Sequence, residues 1–224
     1  MIVAGIATFA CVALVALLLA CHRAGARRGV IVCKTAASTA FLAVAAGHLA
    51  AGGDPGAYAA LIVVGLIFGA GGDVALLGRG RRAFLLGLGL FLAGHIAYVM
   101  ACASLVSPDG WLSPAAAVPV AAALAALAYL GPHVGSMRAP VALYVAAITT
   151  MVIGALAVAL AAPVDGLDTA GAYLLAAGAG SFFISDLAVA RNQFVAPGFV
   201  NRAWGLPAYY GGQLFIAWSL AFAA

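Results

Sequence analysis

Long apolar runs separated by short polar intervals set the pattern of this chain. Splitting it at charged and Gly- or Pro-bearing breaks leaves eight segments, residues 2–21, 30–51, 57–77, 83–106, 112–130, 140–160, 169–190 and 204–222. About 20 apolar residues suffice for an α-helix to cross the hydrocarbon core of a bilayer with every backbone polar group satisfied internally. The pattern therefore predicts an all-α fold, a single domain over residues 1–224 built as a bundle of eight transmembrane helices. The fifth segment departs most from the pattern: it is Ala-rich, follows Ser107-Pro108-Asp109-Gly110 and contains Pro119. Proline and small residues are nevertheless tolerated in spanning helices.

Composition agrees with this reading. Hydrophobic residues make up 67% of the 224 and charged residues 7%, with a mean hydropathy of +1.18. So few charges cannot cover a soluble globular surface, and a multi-pass membrane protein is expected. The net charge of +4 does not indicate nucleic acid, because the basic residues sit in short intervals between segments rather than on one face. The first, third, fifth and seventh breaks hold Arg23, Arg27 and Arg28, then Arg79, Arg81 and Arg82, then Arg138, then Arg191 and Arg202; the even breaks hold Asp54, Asp109, Asp165 and Asp168. The positive-inside rule then places the odd breaks in the cytoplasm and both termini on the non-cytoplasmic side. Leu18-Leu19-Ala20-Cys21 resembles the end of a lipoprotein signal, but no basic residue precedes it, which argues against that reading. Cys11, Cys21, Cys33 and Cys102 lack C-x-x-C or metal spacing and read as small packing residues.

Against this background two carboxylates stand out, Asp73 in Phe68-Gly69-Ala70-Gly71-Gly72-Asp73 and Asp186 in Phe182-Phe183-Ile184-Ser185-Asp186. A carboxylate at mid-helix in lipid costs roughly 2.5–3.5 kcal/mol, so each needs a partner and a purpose. Asp73 precedes Arg79 by six residues and Asp186 precedes Arg191 by five, which predicts that both lie level, about 8–9 Å inside the cytoplasmic boundary. Their matching places in two sets of four segments hint at a duplication of about 1–110 onto 111–224. Gly69, Gly71, Gly72, Ala177, Gly178, Gly180 and Ser181 beside them predict close helix packing in the bundle interior. Two readings follow. The carboxylates are structural glue, satisfied by neighbouring Lys, Tyr or Ser, or they form an acid/base pair in which one carboxyl holds a proton while the other is ionised.

Polar companions are scarce, and the candidates can be named. Lys34 enters the second segment from the cytoplasmic side, where it pairs with an Asp, binds a phosphate, or snorkels to the interface. Tyr209, Tyr210 and Gln213 lie in the last segment, and Asn192, Gln193, Asn201 and Arg202 in the interval before it. His95 follows Arg82 by thirteen residues, about 20 Å along a helix, which predicts that it lies roughly 10 Å from the Asp level and outside direct contact with either Asp. No His/Cys/Asp cluster has zinc spacing, so no metal is expected.

These residues carry a family resemblance. Gly72-Asp73-x-x-Leu76-Leu77, Phe84-Leu85-x-Gly87-x-x-x-Phe91-x-x-x-His95-x-x-Tyr98, Phe182-Phe183-Ile184-Ser185-Asp186-x-x-x-Ala190 and Tyr210-x-x-Gln213 resemble the YhhN membrane proteins, in this order over essentially the whole chain. Characterised members of that family are lysoplasmalogenases, which hydrolyse the vinyl ether bond of a lysoplasmalogen to a fatty aldehyde and a glycerophospho-base. The resemblance implies Asp73 and Asp186 as the catalytic residues. It also implies a role for His95, and with the polar companions named above the expected substrate pocket includes Lys34, His95, Tyr98, Ser185, Tyr210, Gln213, Asn192 and Arg202. One departure is Thr35 after Lys34, where the family often has proline. The implied partners are a lyso-phospholipid substrate and membrane lipid. The Ala/Gly/Arg bias suggests a GC-rich bacterium, hence an inner-membrane location with the site toward the cytoplasmic leaflet.

The chemistry matches the carboxylate pair. Protonation of the vinyl β-carbon gives an oxocarbenium ion that water captures, and the hemiacetal collapses to aldehyde and alcohol. One protonated carboxyl and one carboxylate suffice, as in glycoside hydrolysis, and no cofactor is expected. Which carboxyl is the acid stays open from sequence, although the more apolar neighbours of Asp186, Phe182 and Phe183, favour its protonated form by desolvation. The rival classes are a proton-coupled transporter, which needs a polar path from face to face, and a lipid-binding protein, which would tolerate Asp→Asn. Segments one, five and six are nearly bare of polar residues, which speaks against the first.

Overall fold

The apolar segments fold as α-helices because, in lipid, a helix leaves no backbone group unpaired. The computed structural model describes residues 1–50 and 56–223; Asp54, used above to assign the second break, lies outside them. Among the described residues the order is α1 (Ile2–Arg23), α2 (Arg27–Leu49), α3 (Gly56–Ala75), α4 (Arg81–Leu105), α5 (Ala117–Leu130), α6 (Arg138–Ala161), α7 (Thr169–Ala190) and α8 (Phe199–Ser219). Tight breaks join them. Gly25 turns α1 into α2 at φ 66° and Gly80 starts α4 at φ 85°, left-handed conformations that cost a residue with a Cβ. At the other end of the bundle Asp168 caps α7 by accepting a hydrogen bond from the Thr169 N–H.

Six of the eight helices, α1 to α4, α6 and α7, are both long and apolar enough to cross a membrane. All eight expected segments are helical, and two of the helices fall short of one criterion each. Residues 108–110 form a 3₁₀ turn ahead of the fifth segment, and a second one, 114–116, runs directly into α5; the continuous apolar helix Pro114–Leu130 is still shorter than the about 20 residues that a full crossing needs. α8 has 21 residues but is not apolar enough. Its polar side chains Asn201, Tyr209, Tyr210, Gln213 and Ser219 are buried, satisfied by protein rather than by water. Meanwhile Ile6, Phe9, Val12, Leu86 and Leu143 stand more than half exposed, as a lipid-facing surface requires.

Three hairpins, α1–α2, α3–α4 and α7–α8, make the frame; α6 bridges α4 and α7, and α5 lies outside against α6. α8 contacts α1, α2, α3 and α7, so it is the central post. Glycine sets the spacing within two hairpins. A Cβ on Gly72 would sit 2.8 Å from the Phe91 ring, and one on Gly178 would sit 2.8 Å from the Gly212 carbonyl oxygen. Gly180, by contrast, meets nothing within 4 Å and contributes no close approach. The tightest case is Gly65, where an added Cβ would lie 2.2 Å from the Tyr98 ring. Gly65→Ala is therefore expected to lower stability by about 1–3 kcal/mol through overpacking. Gly89→Ala, at an open position of α4, should raise it by roughly 0.5–1 kcal/mol. Thermal unfolding of both variants in detergent checks the pair.

Candidate functional site

Helix phase decides which polar side chains meet. Lys34 and Ser38 stand one turn apart on α2 and face α3, where Asp73 lies in the last turn. The Lys34 ammonium is 3.0 Å from Asp73 Oδ1. The Ser38 hydroxyl donates to Asp73 Oδ2 at 2.6 Å, and the Tyr210 hydroxyl lies 3.4 Å from the same oxygen. Lys34 and Asp73 are both buried. Lys34 thus pairs with Asp73 and does not snorkel. An acceptor surrounded by an ammonium and two hydroxyls is the setting of an ionised carboxylate.

Asp186 has a different shell. Tyr144 of α6 donates its hydroxyl to Oδ2 at 2.8 Å, and His95 Nε2 stands 3.6 Å from the same oxygen. The His95 ring is fully buried, and neither ring nitrogen has a hydrogen-bond partner. It packs edge-on against Tyr144, centroids 5.1 Å apart, and against Phe182 at 4.7 Å. No cation neighbours Asp186 within ion-pair distance among the described residues unless His95 is protonated.

The contact between His95 and Asp186 corrects the separation of about 10 Å expected from segment arithmetic. α7 does not stop at the basic break: it continues as a π-helical turn, Arg191–Val195, which leaves Asp186 nine residues from the helical end. α3 ends at Ala75, only two residues past Asp73. α4, antiparallel to α3, serves as a ruler. Gly72 packs on Phe91 whereas Asp186 reaches His95, so Asp186 lies about one helical turn, roughly 5 Å, deeper than Asp73. The carboxylates are not level.

Both aspartates line one cavity of about 740 Å³ that opens at the end of the bundle carrying the basic breaks. Leu88 and Phe91 of α4, Ala126 and Leu130 of α5, and Val141, Val145 and Ile148 of α6 give it apolar walls. Of the residues selected from sequence, Lys34, Asp73, Ser185, Asp186, Asn192 and Arg202 line it. His95, Tyr98, Tyr210 and Gln213 do not; they stand behind the wall. There the Tyr98 hydroxyl donates to Gln213 Oε1 at 2.8 Å, and Gln213 Nε2 donates to the Tyr209 hydroxyl at 3.3 Å. Asn192 Oδ1 accepts from the Gly198 N–H at 3.0 Å, which fixes the π turn to the start of α8. Edge contacts run in series from Tyr210 to Tyr209 (4.8 Å), from Tyr209 to Phe182 (5.2 Å) and from Phe182 to His95 (4.7 Å), an aromatic partition linking the two carboxylate shells.

Sequence reasoning missed Ser38 and Tyr144. Ser38 was findable, since it follows Lys34 by one turn on the same face. Tyr144 was not, because α6 reads as nearly bare of polar groups and only the packing of α6 on α7 aims its hydroxyl at Asp186. Among the described residues no three His, Cys, Asp or Glu side chains converge as metal ligands do.

A multi-pass α-helical membrane protein with two unlike carboxylates in one intramembrane cavity is the class that fold and site define. The chain belongs to the YhhN family, whose sequence profile matches residues 29–220. It is 36% identical over 169 residues to human (Homo sapiens) lysoplasmalogenase TMEM86A, covering 70% of this chain and 64% of that protein. The bovine (Bos taurus) lysoplasmalogenase TMEM86A is 33% identical over 165 residues, with the same coverage of 70% and 64%. The matched region thus spans slightly less than two thirds of these relatives' length. No solved structure matches the chain.

Proposed function

We propose that this protein is a lysoplasmalogenase-type hydrolase that cleaves the vinyl ether of a single-chain lipid with Asp186 as general acid and Asp73 as the stabilising carboxylate. The observation that carries the reading is the one cavity in which a carboxylate held by Lys34 and two hydroxyls shares space with a second held only by Tyr144 beside an unpaired His95. The activity named for the TMEM86A relatives supports it.

Depth supports the division of roles. With the head group at the polar mouth and the chain inward, the β-carbon of the vinyl ether is the deeper reacting atom and the ether-bearing carbon the shallower. Asp186, the deeper carboxyl, transfers its proton to the β-carbon. Positive charge develops on the ether-bearing carbon and its oxygen, where Asp73 stabilises it. Water adds to that carbon and passes a proton to Asp73; as the hemiacetal breaks its carbon–oxygen bond, Asp73 returns that proton to the departing alcohol oxygen and the hemiacetal hydroxyl proton goes to Asp186, which releases aldehyde and restores both carboxyl groups. Lys34, Ser38 and Tyr210 hold Asp73 in place. Tyr144 fixes the orientation of Asp186, and His95 completes its pocket. In this reading Ser185, Asn192 and Arg202 face the substrate from the cavity wall, whereas Tyr98 and Gln213 brace the partition from behind. The basic end faces the cytoplasm of a bacterial cell, and both termini lie on the other side of its inner membrane.

The test is aldehyde release by the purified protein from a lysoplasmalogen, run beside the matching 1-alkyl and 1-acyl lyso-lipids. Aldehyde from the vinyl ether alone is expected. Absence of product from all three would overturn the reading and turn attention to proton flux or lipid binding.

A further inference from the structure

The mouth of the cavity carries a set of cations that the chemistry at the aspartates leaves unused. Two basic residues at this end are already engaged, Lys34 by Asp73 and Arg191 by the Asn201 side chain. Three other guanidinium groups reach the cavity from three separate elements: Arg27 at the start of α2, Arg81 at the start of α4 and Arg202 in the first turn of α8. Arg27 is anchored, donating from Nη2 to the Leu77 carbonyl at 3.0 Å, which leaves its other N–H donors available. Among the described residues none of the three has a carboxylate partner, and the acidic residues other than the two aspartates of the cavity, Asp109, Asp165 and Asp168, belong to the opposite end of the bundle. Arg23, Arg28, Arg79 and Arg82 share this end but do not line the cavity.

Positive-inside topology explains why arginine is at this end. It does not explain why three arginines from distant parts of the chain converge on one opening while their neighbours point elsewhere. Guanidinium forks match phosphate oxygens in geometry and keep their charge when partly desolvated. Resting on the function proposed above, we infer that Arg27, Arg81 and Arg202 form a phosphate subsite that clamps the phosphodiester of the lipid head group at the mouth. The clamp sets how far the chain descends, and so places the vinyl ether opposite the two aspartates. The ligand chemistry is a phosphate ester anion on a single-chain lipid. Specificity would then lie in the phosphate, with the amine base beyond it directed to solvent.

The experiment compares kcat/KM for a lysoplasmalogen with that for the 1-alkenylglycerol of the same chain, which has the vinyl ether but no phosphate. In wild-type protein the phospholipid should be preferred at least tenfold. Arg81→Ala and Arg202→Ala should each collapse that preference about tenfold, mainly through KM, with Arg→Lys restoring part of it. Arg28→Ala and Arg82→Ala, which remove equal charge from the same end, should keep the preference. A preference equally reduced in all four variants would overturn the subsite in favour of surface charge. Equal use of the two substrates by wild type would overturn it as well, while leaving vinyl ether hydrolysis standing. Failure on both substrates would instead strike the proposed function itself. Added inorganic phosphate separates the ligand sources: competition at millimolar concentration as strong as that of the glycerophospho-base would mark a free-phosphate site and overturn the head-group assignment.

Discussion

Asp186→Asn protein, folded and monodisperse in detergent, is expected to release aldehyde at less than about 1% of the wild-type rate, since general acid catalysis contributes typically 10²–10⁴-fold. Asparagine keeps the shape of the side chain and its carbonyl still accepts the Tyr144 hydroxyl, now 2.8 Å from Asp186 Oδ2, so fold and cavity should persist. What is lost is a proton donor acidic enough to protonate carbon. Asp73→Asn is expected to be as inactive for a different reason: the amide cannot stabilise an oxocarbenium ion by charge. Rates for both variants within tenfold of wild type would sink the acid/base assignment and favour a structural role. The substitution also separates enzyme from binding protein, because a site that only binds lipid keeps its affinity when an amide replaces a carboxylate of the same shape.

The largest stability effect should come from Lys34→Met. Methionine fills the stem of the lysine but removes the ammonium 3.0 Å from Asp73 Oδ1, leaving a buried carboxylate with hydroxyl donors and no countercharge. Breaking one side of a buried ion pair costs about 3–5 kcal/mol, most of it the penalty of the charge left behind. The double variant Lys34→Met/Asp73→Asn removes both charges and should regain most of that loss while remaining inactive. Thermal unfolding of the four members of this cycle measures the coupling directly. A Lys34→Met protein as stable as wild type would mean that the pair does not hold α2 against α3, and a double variant as unstable as the single one would point to packing rather than charge.

The His95 position shows where sequence arithmetic stops. Counting residues from Arg82 gives only a position for His95 along α4, and the depth of Asp186 was counted from Arg191 as though a basic residue marked the end of the helix. Backbone hydrogen bonding continues through the π turn Arg191–Val195, and that extension lowers Asp186 to the level of His95. A similar limit applies to α8. Its moderate hydropathy looked like an ordinary span, yet its inward face of Asn201, Tyr209, Tyr210 and Gln213 makes it the polar post of the bundle. Side chains that satisfy one another are indistinguishable, in a hydropathy profile, from side chains that face water.

Local chemistry is readable without a structure. Apolar runs of spanning length, the alternation of basic and acidic breaks, and two carboxylates that lipid would reject give the membrane class and the helix order and single out Asp73 and Asp186 as candidates. These follow from transfer free energies, which depend on residue type and neighbours in sequence. Other features depend on helix rotation and on contacts between distant segments. Packing alone brought Ser38 and Tyr210 to Asp73, aimed Tyr144 from an otherwise apolar α6 at Asp186, set the carboxylates at different depths, and drew Arg27, Arg81 and Arg202 to one mouth. Of these contacts, Tyr210 to Asp73 joins residues 137 positions apart. Their energies belong to pairs rather than to single residues, and no pattern along one chain encodes which pairs will form.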